Sequence, residues 1–160
     1  MQYSKQLNKT CSINDYLVWG GFPGRFLYDS IETQQAYLSD LENTIVYNDL
    51  IKRYHIRKEV VFKKIVNYIL MSNSRIISAR RIRDYISHEC DGVSLNTVLK
   101  YIEYLKEAYI IDEVPQYSSK AKKELAYYYK LYDADVCFNS LAVNNNRFDF
   151  DKISKTLSTM

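Results

Sequence analysis

Ser94-Leu-Asn-Thr-Val-Leu-Lys-Tyr-Ile-Glu-Tyr-Leu-Lys-Glu-Ala-Tyr109 is the stretch whose reading decides the fold. A serine opens it, and a serine hydroxyl accepts a hydrogen bond from the free amides of a helix's first turn. Leu95, Val98, Ile102 and Leu105 recur at spacings of three and four, which puts them on one helical face. Asn96, Thr97, Lys100 and Glu103 fall opposite, with Tyr101 and Tyr104 at the margins. The segment is predicted to dock by an aliphatic stripe and to present amide, hydroxyl and ammonium groups outward. A DNA recognition helix needs such a face, and any solvated helix has one, so the neighbouring segments must decide.

Working outward on the N-terminal side, Asp91-Gly92 is a turn signal. Before it, Ser78 is placed to cap a helix running to about Glu89, with Ala79, Ile82 and Ile86 facing inward and Arg80, Arg81 and Arg83 projecting. Arg75-Ile-Ile-Ser78 reads as a short β-like link. Arg57 to Ser72 reads as a further helix, with Val61, Ile65 and Ile69 on one face and Phe62, Val66 and Leu70 widening it. The last two helices stand at a slightly loose helix-turn-helix spacing.

On the C-terminal side the pattern changes. Ile110 to Tyr117 is β-branched and partly alternating, and Pro115 marks it as an edge strand. Ser118-Ser-Lys-Ala-Lys-Lys-Glu124 is a polar, basic connection, and Leu125 to Tyr132 is rich in strand formers. Helix, short strand, helix, helix, strand, basic loop, strand is the order of a winged helix. The expected fold is therefore mainly α: a helical N-terminal segment at 1–57, a winged helix of three helices plus a β-wing at 58–132, and a short C-terminal tail at 133–160. The last segment is too short to build a core of its own.

The N-terminal segment contains Ile13 to Phe26, with Asp15 placed to cap a short helix and Gly20-Gly21 and Pro23-Gly24 marking a tight connection. No Lys-Ser/Thr follows these glycines and the G-x-G-x-x-G order is absent, so a turn packed by Trp19 and Phe22 is expected rather than a phosphate cradle. Ile31 to about Tyr54 reads as one long helix striped by Gln34, Leu38, Leu41, Ile45 and Leu50, with Tyr37 and Val46 beside it.

Of 160 residues, 47% are hydrophobic, enough for a packed core, and the 4 glycines and 2 prolines favour helices over a turn-rich β fold. No apolar run is long enough to span a bilayer, and the first ten residues lack the apolar core of a signal peptide. Cys11, Cys90 and Cys137 are too far apart for a zinc pattern and odd in number, so a cytoplasmic, thiol-reduced protein is expected. The net charge of +3 resides entirely in residues 58–125.

Catalysis finds little support. His55 and His88 have no companion at triad spacing, and Asp133 and Asp135 lack further ligands for a metal, so they read as solvated or turn-capping. No catalytic residue, metal or cofactor is expected. Duplex DNA contact is the better fit. Arg80, Arg81 and Arg83 suit phosphates, Ser94 opens the recognition helix, and Asn96, Thr97 and Lys100 suit base edges. Lys120, Lys122 and Lys123 in the wing would reach an adjacent stretch of backbone. The rival reading is a protein-interaction module, since the 16 tyrosines suit interfaces.

Four ordered motifs carry a family resemblance: Tyr16-Leu-Val-Trp-Gly-Gly-Phe-Pro23; Tyr37-Leu-x-Asp-Leu-x-x-Thr-Ile-x-x-x-Asp-Leu-Ile-x-Arg-Tyr54; Val93-Ser-x-Asn-Thr-Val-x-x-Tyr-Ile-x-Tyr-Leu105; and Lys130-Leu-Tyr-Asp-Ala-Asp135. Over roughly residues 13–153 the chain resembles a family of prokaryotic AAA-type P-loop ATPases. The resemblance implies an ATPase module on the N-terminal side, a winged helix in the middle and a restriction-endonuclease-like C-terminal domain. Two features depart from that pattern. There is no G-x-x-x-x-G-K-[ST] motif, and after Ile153 the sequence leaves the family's course. Asp133 matches the family's aspartate after the last wing strand, but the later acidic and lysine positions are missing. The chain is expected to be a fragment, a truncated gene product or a stand-alone remnant. Its expected partners are double-stranded DNA, an ATPase module or a second copy, and no membrane.

Overall fold

The computed structural model describes residues 12–88, 92–115 and 129–145. Several helices begin where a side chain satisfies one of their first amides. Helix α1 (Ile13–Trp19) starts at Ser12, whose hydroxyl accepts the Asp15 amide while the Asp15 carboxylate accepts the Ser12 amide. Asp15 thus lies inside the helix as the far half of a capping box, one turn later than the cap position expected for it. A 3₁₀ turn (Pro23–Leu27) follows, and Ser30 caps helix α2 (Ile31–Glu42).

The expected long helix is continuous from Ile31 to Arg53 but not uniformly α. A π-helical segment (Asn43–Asp49) separates α2 from the short helix α3 (Leu50–Arg53). Its wider turn rotates the following residues relative to α2. Ile45, expected inward, is therefore exposed, while Val46, Tyr47 and Leu50 are buried with Leu38 from the preceding helix.

Helix α4 (Glu59–Met71) buries Val61, Phe62, Ile65, Val66, Ile69 and Leu70, the face its periodicity predicted. Strand β1 (Ile76–Ile77) leads to the Ser78 cap of helix α5 (Ala79–Ser87), whose Ala79, Ile82 and Ile86 are buried. Helix α6 (Leu95–Glu107) follows, then strands β2 (Ile111–Pro115) and β3 (Tyr129–Asp133). The sheet is antiparallel in the order β1-β3-β2, with Ile76 opposite Lys130 and Val114 also opposite Lys130 from the other side. Strand β2 is an edge, as Pro115 predicted. The architecture is mainly α with one small antiparallel sheet, and the elements from α4 to β3 come in the expected order of three helices plus a wing.

Helix α7 (Val136–Asn145) packs on the rest and contributes Cys137, Phe138, Leu141 and Ala142 to the hydrophobic core that runs from Leu38 onward. Asp135 anchors its start, accepting the Gly21 amide at 2.8 Å and the Cys137 amide at 2.9 Å. This contact explains the glycine turn. Gly20 sits at φ +73°, and a Cβ there would fall 1.7 Å from an Asp135 oxygen. Phe22 meets Phe138 edge-on at 5.6 Å. The Gly-Gly-Phe-Pro stretch is a structural clasp on α7.

Candidate nucleic-acid interface

Helix α6 is held by its apolar stripe. Val98, Tyr101, Ile102 and Leu105 are buried, and the Tyr101 ring meets Phe62 of α4 edge-on at 5.0 Å. Its cap is the predicted one: the Ser94 hydroxyl accepts the Thr97 amide at 3.1 Å. The same hydroxyl lies 2.9 Å from the Thr97 hydroxyl, so Ser94 and Thr97 spend their polar atoms on each other and on the helix end. Asn96 and Lys100 are exposed one turn apart, with Leu99 half-exposed between them. Of the four α6 candidates, these two keep polar heads with no partner among the described residues.

The arginines divide in the same way. Arg80 and Arg81 project from the first turn of α5 and are exposed, with no ion pair among the described residues. Arg83 is half-buried, and its guanidinium pairs with the neighbouring Asp84. It answers a carboxylate on its own helix. Lys120, Lys122 and Lys123 lie outside the described residues.

Charge is polarised along α6. Its first half carries Lys100, whereas the exposed acids Glu103 and Glu107 stand in the second half. Lys106 does not relieve them, because it bridges Glu103 at 2.9 Å and Glu113 of β2 at 2.7 Å. Those carboxylates hold its ammonium protonated above the usual lysine range. Glu107 accepts the Tyr54 hydroxyl, and the Tyr54 ring stacks on Tyr104 with centroids 3.7 Å apart. Lys58 is also committed, donating to the Gly92 carbonyl at 3.1 Å and tying the start of α4 to the turn before α6. Among the described residues of this face, uncommitted cations stand around the starts of α5 and α6.

Elsewhere the chemistry is sparse. His55 and His88 are exposed, and no group of three or more His, Cys, Asp or Glu suited to a metal occurs among the described residues. Asp135 is the turn-capping aspartate expected. Asp133 is not solvated, contrary to expectation: both carboxyl oxygens are buried with no hydrogen-bond partner among the described residues, and burial pushes its pKa up to about 8. Glu42, at the end of α2, is only 1% exposed, and burial raises it to about 7. Neither was legible from periodicity, because the π segment and the docking of α7 create both environments. No helix among the described residues is long and apolar enough to cross a membrane.

Among curated proteins, the chain is similar to "Uncharacterized protein MJ1544" of Methanocaldococcus jannaschii, at 28% identity over 136 residues, covering 84% of this chain and 30% of that protein. It is also similar to an "Uncharacterized protein" of Haemophilus influenzae, at 23% identity over 109 residues, covering 68% of this chain and 27% of that one. The chain therefore spans less than a third of the length of these relatives. No solved structure matches it. One family model matches residues 11–149, which take in all the residues described above, and the chain belongs to that family, the "Domain of unknown function (DUF8612)".

Proposed function

We propose that this chain is a non-catalytic winged-helix module that binds double-stranded DNA, within or derived from a larger AAA-type ATPase. One observation carries the reading: among the described residues, Arg80, Arg81, Asn96 and Lys100 present uncommitted polar heads around the starts of two consecutive helices. Nearby, Lys58, Arg83, Ser94, Thr97 and Lys106 are spent internally. In this reading the first half of α6 enters the major groove, Asn96 and Lys100 meet base edges, and Arg80 and Arg81 hold phosphates. The acids of the second half, Glu103 and Glu107, keep that end away from the backbone.

Titration of the chain against a duplex at several salt concentrations tests this. Affinity should fall as salt rises, and Arg80→Ala/Arg81→Ala/Lys100→Ala should flatten the dependence, with a loss of about 0.9 in log–log slope per phosphate contact removed. Binding that is absent at low salt, or that keeps its slope in the triple variant, would sink the assignment.

A different observation favours a second reading, docking on an ATPase module or on a second copy. Ile13, Leu17, Leu27 and Ile31 in the first elements are each more than half exposed. Large aliphatic side chains clustered in one stretch suit an interface. Light scattering across a concentration series and capture with an ATPase module would both be negative if this reading were wrong.

A further inference from the structure

Glu42 closes α2 and Asp133 closes β3, and α7 covers both. The two carboxyls have the same defect. One Glu42 oxygen and both Asp133 oxygens are buried with no hydrogen-bond partner among the described residues. The polar groups of the surrounding elements are committed elsewhere. The Tyr47 hydroxyl donates to Asn67 of α4, the Asn139 amide of α7 donates to the Leu70 carbonyl at 2.7 Å, and the Asn73 side-chain oxygen accepts the Asp133 amide.

No basic side chain bears on either carboxyl among the described residues; burial alone shifts them. The remaining titratable neighbours are Tyr47 and the Cys137 thiol. Burial pushes the thiol up, and Asp135, Glu42 and Asp133 add to that, so all three acids converge on the first turn of α7. Asp135 is committed to the Gly21 and Cys137 amides. A charge placed on Glu42 or Asp133 would stand in a dry site with no basic partner among the described residues.

We propose that α7 is a proton-linked latch: it closes over Glu42 and Asp133 while both carboxyls hold their protons, and their ionisation releases it. Lifting α7, a ten-residue helix that packs on both α2 and β3, hydrates the pair. Release would also free the α1 arm, which lies along α7 and is clasped to it through Gly21 and Phe22.

The single tryptophan, Trp19 on α1, reports on this contact. Trp19 emission and acrylamide quenching are followed from pH 5.5 to 9.5, with far-ultraviolet circular dichroism on the same samples. The expected result is one reversible step between about pH 7 and 8, with red-shifted emission, stronger quenching and the helical signal largely retained. Glu42→Gln/Asp133→Asn, which copies the protonated shapes, should stay closed throughout. A flat wild-type profile would overturn the proposal on its own. So would a step that survives in the double variant, or a step that coincides with loss of the whole helical signal.

Discussion

At the scale of single residues, three side chains occupy backbone conformations better suited to glycine, and besides Ser74 at φ +64° two of them end helices. His55 has φ +50° and Tyr109 φ +56°. Each ends a helix in a Schellman turn, marked by the Ile56 amide on the Ile51 carbonyl and the Ile110 amide on the Leu105 carbonyl, both at 3.0 Å. Both side chains are exposed, Tyr109 by 84%, so little packing offsets the left-handed strain. His55→Gly and Tyr109→Gly should each raise stability by about 0.5 kcal/mol, the steric relief exceeding the added entropy of the unfolded chain. Urea unfolding measures this, and a lower midpoint would show that the side chains contribute contacts. The sequence placed His55 at a helix end, but not this conformation, which depends on where the next element leaves.

At the scale of elements, local chemistry was readable and register was not. Ser78 and Ser94 were recognised as caps because a cap needs only its own hydroxyl and amides two or three residues on. Ser78→Ala and Ser94→Ala should each cost about 1 kcal/mol in thermal or chemical unfolding. For Ser94 the loss should also loosen Thr97, seen as faster amide exchange in the first turn of α6. The stripe of the long N-terminal helix went astray at Ile45 because one wide π turn changes which residues face inward. No periodicity rule anticipates that turn, since only the packing of Val46 and Leu50 reveals it. The candidate site shows the same division. Spacing could nominate Arg80, Arg81, Asn96 and Lys100, which are exposed, but it could not see that Asp84 takes Arg83 or that Ser94 and Thr97 satisfy one another. Those losses follow from side-chain geometry.

At the scale of the whole molecule, the buried acids make stability depend on pH. Glu42 titrates at 4.5 when unfolded and at about 7 when folded, and Asp133 at 3.8 and about 8. Between those values the folded chain holds protons that the unfolded chain has released, so rising pH favours unfolding. The stability these protonated groups confer is fully present below about pH 4 and is lost as pH climbs through 7 and 8. Unfolding free energy should fall by at least about 1 kcal/mol between pH 5 and 8, and Glu42→Gln/Asp133→Asn should remove most of that slope. Equal urea midpoints at the two pH values would contradict it.

The sheet has a temporal consequence. Its central strand, β3, is the last of the three in the chain, and β1 and β2 pair with it rather than with each other. As the polypeptide is synthesised, neither earlier strand has a partner until Tyr129–Asp133 leaves the ribosome. Helices α4 to α6 can form and collapse before then, but the wing has no half-built state. A nascent chain arrested before residue 129 carries two unpaired strands, and completion of β3 closes both at once.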